Sequence, residues 1–187
     1  DRFREECGVV GIAGHAEAAN LAYLGLYALQ HRGKESCGIA TRTGSEMRVY
    51  KGMGLVADNF GEKSLEKLPG RYAIGHVRYS TAGSSSLRDA QPFLASSGDI
   101  DLAVAHNGNL TNALAIRHEL EGYGSIFQST MDSEVFVHLY ARARGTVEER
   151  LTDVLSRVRG AYSLVMLVDD VLDLTRAESD RAETDRT

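Results

Sequence analysis

"DRFREECGVVGIAG" (residues 1–14) poses the choice on which the rest of the reading turns. Six mostly charged residues stand ahead of a thiol at Cys7, and an apolar run punctuated by glycines follows it. Residues 7–14 have the composition of a short buried strand bounded by glycines. Two readings of Cys7 are open. It is a small buried side chain starting that strand, the commoner fate of a lone cysteine. Or residues 1–6 are a leader, and Cys7 is the first residue of the processed form.

Outward from this strand, Glu17 to Gln30 turns helical, with Ala18, Leu21, Ala22, Gly25, Leu26 and Leu29 on one face. "HRGKESCG" (31–38) reads as a loop, and "IATRTGSEMRVYKG" as two strands about a Gly44-Ser45 turn. "RYAIGHVRY" (71–79) is a strand running into the long polar loop "STAGSSSLRDAQP". "DLAVAHNGN" (101–109) is a strand ending in a sharp turn. Asn109 then caps a helix to about Glu121 that buries Leu110, Ala113, Leu114 and Leu120. A helix from Asp132 or Ser133 buries Val135, Phe136, Leu139 and Tyr140. In "TVEERLTDVLSRVRG", Thr146 and Glu149 spell a capping box, Leu151, Val154, Leu155 and Val158 a stripe, and Gly160 a stop. "AYSLVMLV" (161–168) is an internal strand. This order predicts layered α and β elements with mainly antiparallel sheets.

The 187 residues have the length of one domain, or of one domain with a tail. Such a domain buries roughly 70% of its unfolded surface and needs no disulfide or metal staple. A net charge of −5 and the lack of any basic run argue against a nucleic-acid or anionic-membrane partner. No stretch approaches the ~20 apolar residues that span a bilayer. Two cysteines, Cys7 and Cys37, make no disulfide framework and read as reduced thiols of the cytoplasm. Residues 171–187 repeat Arg, Asp, Glu and Thr with few large apolar side chains, as a solvated tail does.

No two histidines lie within five residues of each other, and neither C-x-x-C nor H-E-x-x-H occurs, so a metal site is not expected. "GIAGHA" lacks the phosphate-loop glycines and lysine, and "TAGSSS" lacks the G-x-S-x-G of a serine nucleophile. Cys7 is the better nucleophile. Arg78 ends one strand, Asn107-Gly108 ends another, and Asp132 opens a helix. Singly these read as an ion pair, a hairpin turn and a cap. Together they supply a thiol, an amide with a backbone donor, a guanidinium and a carboxylate. That set complements the carboxylate, ammonium and side-chain carbonyl of a free amino acid.

The stretches "ECGVVGIAGH", "LQHRGKESCGIA", "GHVRYSTAGSSS", "AQPF", "LAVAHNGNLTNA" and "SIFQSTMDSEVFVHL" resemble the N-terminal glutaminase domain of the amidophosphoribosyltransferase family. These are class II, N-terminal-nucleophile glutamine amidotransferases, and the resemblance runs in order from residue 5 to about 168. It implies a four-layer αββα fold with two mainly antiparallel sheets between helices. It implies Cys7 as nucleophile once residues 1–6 are removed, and Arg78 as the grip on the glutamine α-carboxylate. Asn107 and the Gly108 N–H would form the oxyanion hole, and Asp132 would hold the substrate ammonium. Arg32 and Gly33 would belong to a loop that closes over glutamine, and Thr81 to the segment beside Arg78. The products would be glutamate, through a thioester hydrolysed by water, and ammonia. In the family the ammonia converts phosphoribosyl pyrophosphate to 5-phosphoribosylamine, the first committed step of de novo purine biosynthesis.

The resemblance explains the position of Cys7 chemically. An α-amino group titrates near 7.7–8.0 and is partly neutral at cell pH. Carried by the same residue as the thiol, it takes the thiol proton and later gives one to departing ammonia. Acylated by Glu6, it can do neither. The residues present as Lys34 and Cys37 are usually Gln and often Ala in the family; Lys34 is expected to face solvent and Cys37 to pack as a small apolar side chain. Past Asp170 the resemblance stops. The phosphoribosyltransferase domain, its Mg²⁺ and any iron–sulfur cluster are expected to lie outside this chain, and the full-length form is expected to be a homo-oligomer. Two alternatives remain open: another class II amidotransferase, such as a glucosamine-phosphate or asparagine synthetase, and an inactive remnant that binds glutamine or a partner domain.

Overall fold

The apolar run after Cys7 forms β1 (Gly8–Ile12) in the computed structural model, which describes residues 7–44, 46–79, 86–98 and 100–170. Helix α1 (Ala18–Ala28) follows and buries Ala18, Ala19, Ala22 and Leu26. Strands β2 (Ser36–Thr43) and β3 (Glu46–Met53) make the expected hairpin, with Thr43 opposite Glu46. Two one-turn helices, α2 (Val56–Asn59) and α3 (Glu62–Leu65), lead into β4 (Tyr72–Arg78). Strand β4 inserts between β1 and β2, giving a four-stranded sheet of order β1-β4-β2-β3. The second sheet has the order β5-β6-β7, from β5 (Phe93–Ser97), β6 (Ile100–Leu110) and β7 (Gly160–Asp170). Among the described residues every pairing in both sheets is antiparallel.

Side-chain alternation sorts the layers. Along β6, Ala103 and Ala105 face the first sheet, meeting Ala40 and Ile74, with Val9, Val49, Val165 and Leu167 around them. The intervening Leu102 and Val104 face outward to α4 (Ala113–Gly122), α5 (Glu134–Arg142) and α6 (Val147–Arg157). Alanines in the middle layer let the sheets approach closely, and the bulk of the core sits under the helices. There Phe136, Leu139 and Tyr140 are at most 1% exposed, each contributing about 1.5–3 kcal/mol by leaving water. Helix α1 covers the other sheet through Leu26, packed with Ile39, Ala73 and Val77. The result is the expected αββα sandwich. At one edge Arg42 of β2 pins the sheets together, bonding Asp169 Oδ1 at 2.6 Å and the Val168 carbonyl at 3.0 Å, both on β7.

Several local expectations need correction. Strand β2 starts at Ser36, so Cys37 lies in a strand and not in a loop. The Asn107-Gly108 pair is not a sharp turn: β6 runs through it to Leu110, because pairing with Ser163 and Tyr162 of β7 outweighs the local turn signal. Helix α4 is therefore capped at Asn112 rather than Asn109. The face that meets the core runs through Ala113, Ile116 and Leu120, while Leu114 is 67% exposed. Gly160 does not stop α6, which ends at Arg157; it opens β7. Strand β7 pairs with β6 alone among the described residues, so it is an edge strand there and not an internal one. Of the α6 stripe, Val154 and Val158 are buried, whereas Leu155 is exposed. The capping box forms as spelled, with Glu149 N–H on Thr146 Oγ1 at 3.3 Å and Thr146 N–H on Glu149 Oε2 at 2.8 Å. Residues 1–6, Thr81 and residues 171–187 lie outside the described residues.

Candidate active site

Three chain segments meet at the N-terminal end of β1. Gly8 pairs with Val77, so Cys7 lies level with the end of β4, its Sγ 3.9 Å from the Tyr79 carbonyl. From the other side of β4, Ser36 pairs with Arg78, and the Glu35 N–H donates to the Arg78 carbonyl at 3.0 Å. The turn before β2 closes over this junction. Arg32 Nε donates to the Cys7 carbonyl at 2.8 Å, which fixes the backbone that carries the thiol. Gly33 lies so close to Arg78 that a Cβ there would stand 2.7 Å from its carbonyl carbon and oxygen; only glycine fits. Gln30 holds this turn by bonding the Gly33 carbonyl and accepting from Val56 N–H at 2.6 Å. Cys7, Arg32, Gly33 and Arg78 are thus brought together.

The second sheet contributes the end of β6. Strands β4 and β6 pass each other in the middle of the sandwich, where a nitrogen of buried His76 meets the His106 carbonyl at 3.1 Å. Beyond that bridge come Arg78 on one strand and Asn107-Gly108 on the other. Asn107 is buried while Gly108 is exposed. Gly108 has φ +143°, and a Cβ would stand 2.3 Å from the Ala161 carbonyl, so the backbone there is confined to glycine by both conformation and space. Asp132 joins from the start of α5. Its Oδ2 accepts the Leu110 N–H at 2.9 Å, which ties the carboxylate to the end of β6.

Behind Asp132 lies a buried polar network that the sequence reading did not assign. Gln91 Oε1 accepts the His106 N–H at 2.7 Å, and its amide nitrogen donates to Ser133 Oγ at 3.2 Å. His106 Nδ1 is 2.8 Å from the same hydroxyl, which in turn is 3.3 Å from Asp132 Oδ1. His106 Nε2 is buried with no partner among the described residues. Placing the ring proton on Nδ1 leaves only a lone pair unmet there, which is cheaper than an unmet N–H. Ser133 then accepts from Gln91 and His106 and donates to Asp132, using its full hydrogen-bonding capacity. Burial pushes the His106 pKa down, and the Asp132 carboxylate opposes this. In the sequence, Gln91 of "AQPF" and His106 of "LAVAHNGNLTNA" carry no local sign of this role.

The two thiols differ. Cys7 is half-buried, whereas Cys37 is wholly buried and its pKa is pushed up to about 12, chiefly by desolvation. A thiol in that state is a poor nucleophile at cell pH. Lys34 is exposed. Among the described residues no group of three or more His, Cys, Asp or Glu side chains is placed to hold a metal ion, and no helix is long and apolar enough to cross a membrane.

The His76 bridge makes the sandwich acid-sensitive. Burial lowers the His76 pKa to about 3 against the opposing bond to the His106 carbonyl, so the folded protein holds this ring neutral. The unfolded chain titrates near 6.5, so its stability contribution is fully present above that pH and is lost as pH falls toward about 3. At pH 5 the loss from this one ring is about 2 kcal/mol. Denaturant unfolding at pH 7 and pH 5 checks this: in His76→Gln the difference between the two pH values is expected to shrink by about that amount. An unchanged difference would reject a neutral buried His76.

Residues 76–181 match the family model of the glutamine amidotransferase domain. Amidophosphoribosyltransferase 3, chloroplastic, of Arabidopsis thaliana is 48% identical over 177 residues, which are 94% of this chain and 33% of the relative. The amidophosphoribosyltransferase of Staphylococcus aureus (strain Mu50) is 44% identical over 172 residues, 91% of this chain and 35% of the relative. Among solved structures, one titled as the allosteric regulatory enzyme of purine biosynthesis superposes with a TM-score of 0.82 at 43% identity, covering 86% of this chain and 35% of that one. Glutamine phosphoribosylpyrophosphate amidotransferase from B. subtilis, complexed with ADP and GMP, gives 0.79 at 42% identity, covering 85% and 34%. The chain spans about a third of the length of these relatives. The αββα sandwich is therefore the N-terminal-nucleophile hydrolase fold of these enzymes.

Proposed function

Because this chain belongs to the glutamine amidotransferase domain family, we propose that it releases ammonia from glutamine through a thioester on Cys7. The observation that carries the reading is the convergence of Cys7, Arg32, Gly33 and Arg78 at one strand end. In this proposal Cys7 Sγ attacks the side-chain carbonyl of glutamine. The free α-amino group of the same residue takes the thiol proton and returns one to the leaving ammonia. Asn107 and the Gly108 N–H stabilise the tetrahedral oxyanion, roughly 3–4 kcal/mol per donor. Asp132, oriented by Leu110 N–H and Ser133, takes the substrate ammonium, and Arg78 takes its carboxylate. Water then hydrolyses the thioester to glutamate. Thr81 belongs to the reading as a neighbour of Arg78.

For the whole protein, the reading is amidophosphoribosyl transfer, with the ammonia made here delivered to phosphoribosyl pyrophosphate to form 5-phosphoribosylamine. The names of the relatives support it. A reducing compartment, the cytoplasm in this reading, keeps Cys7 a thiol.

Arg78→Lys tests substrate capture. A lysine is a point charge and cannot make the planar two-pronged contact with a carboxylate. The KM for glutamine, measured by glutamate release, is expected to rise by about tenfold or more, with a smaller change in kcat. An unchanged KM removes Arg78 from the site.

A further inference from the structure

The guanidinium assigned to the glutamine carboxylate already has a protein carboxylate beside it. Arg78 Nη1 donates to Glu35 Oε1 at 2.8 Å, and each side chain is only 12% exposed. Exposed ion pairs contribute little, but a sheltered pair fixes the geometry of both partners. Glu35 is itself anchored on both sides of its backbone. Its N–H bonds the Arg78 carbonyl at 3.0 Å, and its carbonyl accepts the Gly54 N–H at 2.7 Å. The carboxylate thus stands on a main-chain bridge directly across from the arginine it holds. Guanidinium donors lie in one plane, so a bond at Nη1 from a fixed acceptor sets the orientation of the remaining N–H groups.

We propose that Glu35 is a positioning residue for glutamine capture, holding the Arg78 plane so that its other donors meet the substrate carboxylate. The proposal rests on the reading that Arg78 grips that carboxylate. It places Glu35 behind the arginine and not in the substrate's seat. A long arginine side chain freed of this bond would sample other rotamers, and ordering it would then count against substrate binding. The effect belongs to ground-state capture and so to KM, because Glu35 touches no reacting atom.

The test uses the full chain from Cys7 onward in four forms: unaltered, Glu35→Gln, Glu35→Asp and Arg78→Lys. Glutamate release should show Glu35→Gln raising KM for glutamine about tenfold with kcat within about twofold. Glu35→Asp keeps the charge on a shorter stem and should raise KM about threefold. Alkylation of Cys7 by iodoacetamide, which has no α-carboxylate, should proceed at the unaltered rate in both Glu35 variants. A KM lowered by Glu35→Gln would overturn the proposal by showing that Glu35 competes with substrate. So would an unchanged KM in both Glu35 variants, or a slowed iodoacetamide reaction. If Arg78→Lys raises KM and neither Glu35 variant does, the positioning role alone falls. If Arg78→Lys leaves KM unchanged, the reading of Arg78 itself has failed.

Discussion

Cys7→Ala is expected to reduce glutamate release to the uncatalysed background, a loss of at least about 10⁴-fold, while leaving the fold in place. The two halves of this expectation have separate causes. Chemically, no described side chain replaces the sulfur: Cys37 is wholly buried and its thiol is held protonated far above cell pH. Structurally, the Cys7 side chain is half-buried and its sulfur makes a 3.9 Å contact with the Tyr79 carbonyl. Arg32 holds the Cys7 backbone carbonyl and not its side chain, so the substitution spares that bond. The melting temperature is therefore expected to move by no more than about 4 °C, as for a change near 1 kcal/mol in a domain of this size. Activity surviving the substitution would show that another group is the nucleophile.

The second large effect concerns what precedes Cys7. A chain that starts at Cys7 is expected to turn over glutamine, and the same chain with Glu6 and the residues before it attached is expected to be silent. The reason is the state of one nitrogen. As a free amine it is a base of pKa near 8, whereas in a peptide bond its lone pair is delocalised and it takes no proton at these pH values. The buried rings of His76 and His106 are engaged elsewhere, a nitrogen of His76 by the His106 carbonyl and Nδ1 of His106 by Ser133 Oγ, and burial lowers the pKa of each. The ratio of glutamate release between the two forms should exceed about 10³, the scale of losing general-base assistance together with nucleophile activation. Equal rates would mean that the terminal amine is not the base.

What was legible in the sequence was local. The period-2 and period-3.6 patterns placed the β2–β3 hairpin, β4, α1, α5 and α6, and the Thr146–Glu149 capping box is a contact over three residues. The end of β6 was misread because Asn-Gly is a strong short-range turn signal, and only the ladder with β7, over fifty residues later, overrides it. Strand β5 was missed because "FLASS" is short and lacks alternation. Among the site residues, Cys7, Arg78, Asn107, Gly108 and Asp132 stood out because each ends or starts an element with a chemically suggestive group. Glu35 did not, for its partner lies 43 residues away and its segment reads as an ordinary polar loop. Ser133 was hidden similarly, since its role depends on Gln91 and His106 reaching it from another layer.

The shared residue of sulfur and base is tested most directly by covalent labelling with a diazoketone analogue of glutamine, followed by peptide mapping by mass spectrometry. The protein starting at Cys7 should take up one equivalent, all of it on Cys7, and the form still carrying Glu6 should take up none on the same timescale. Equal labelling of both forms, or a label on Cys37, would contradict the account.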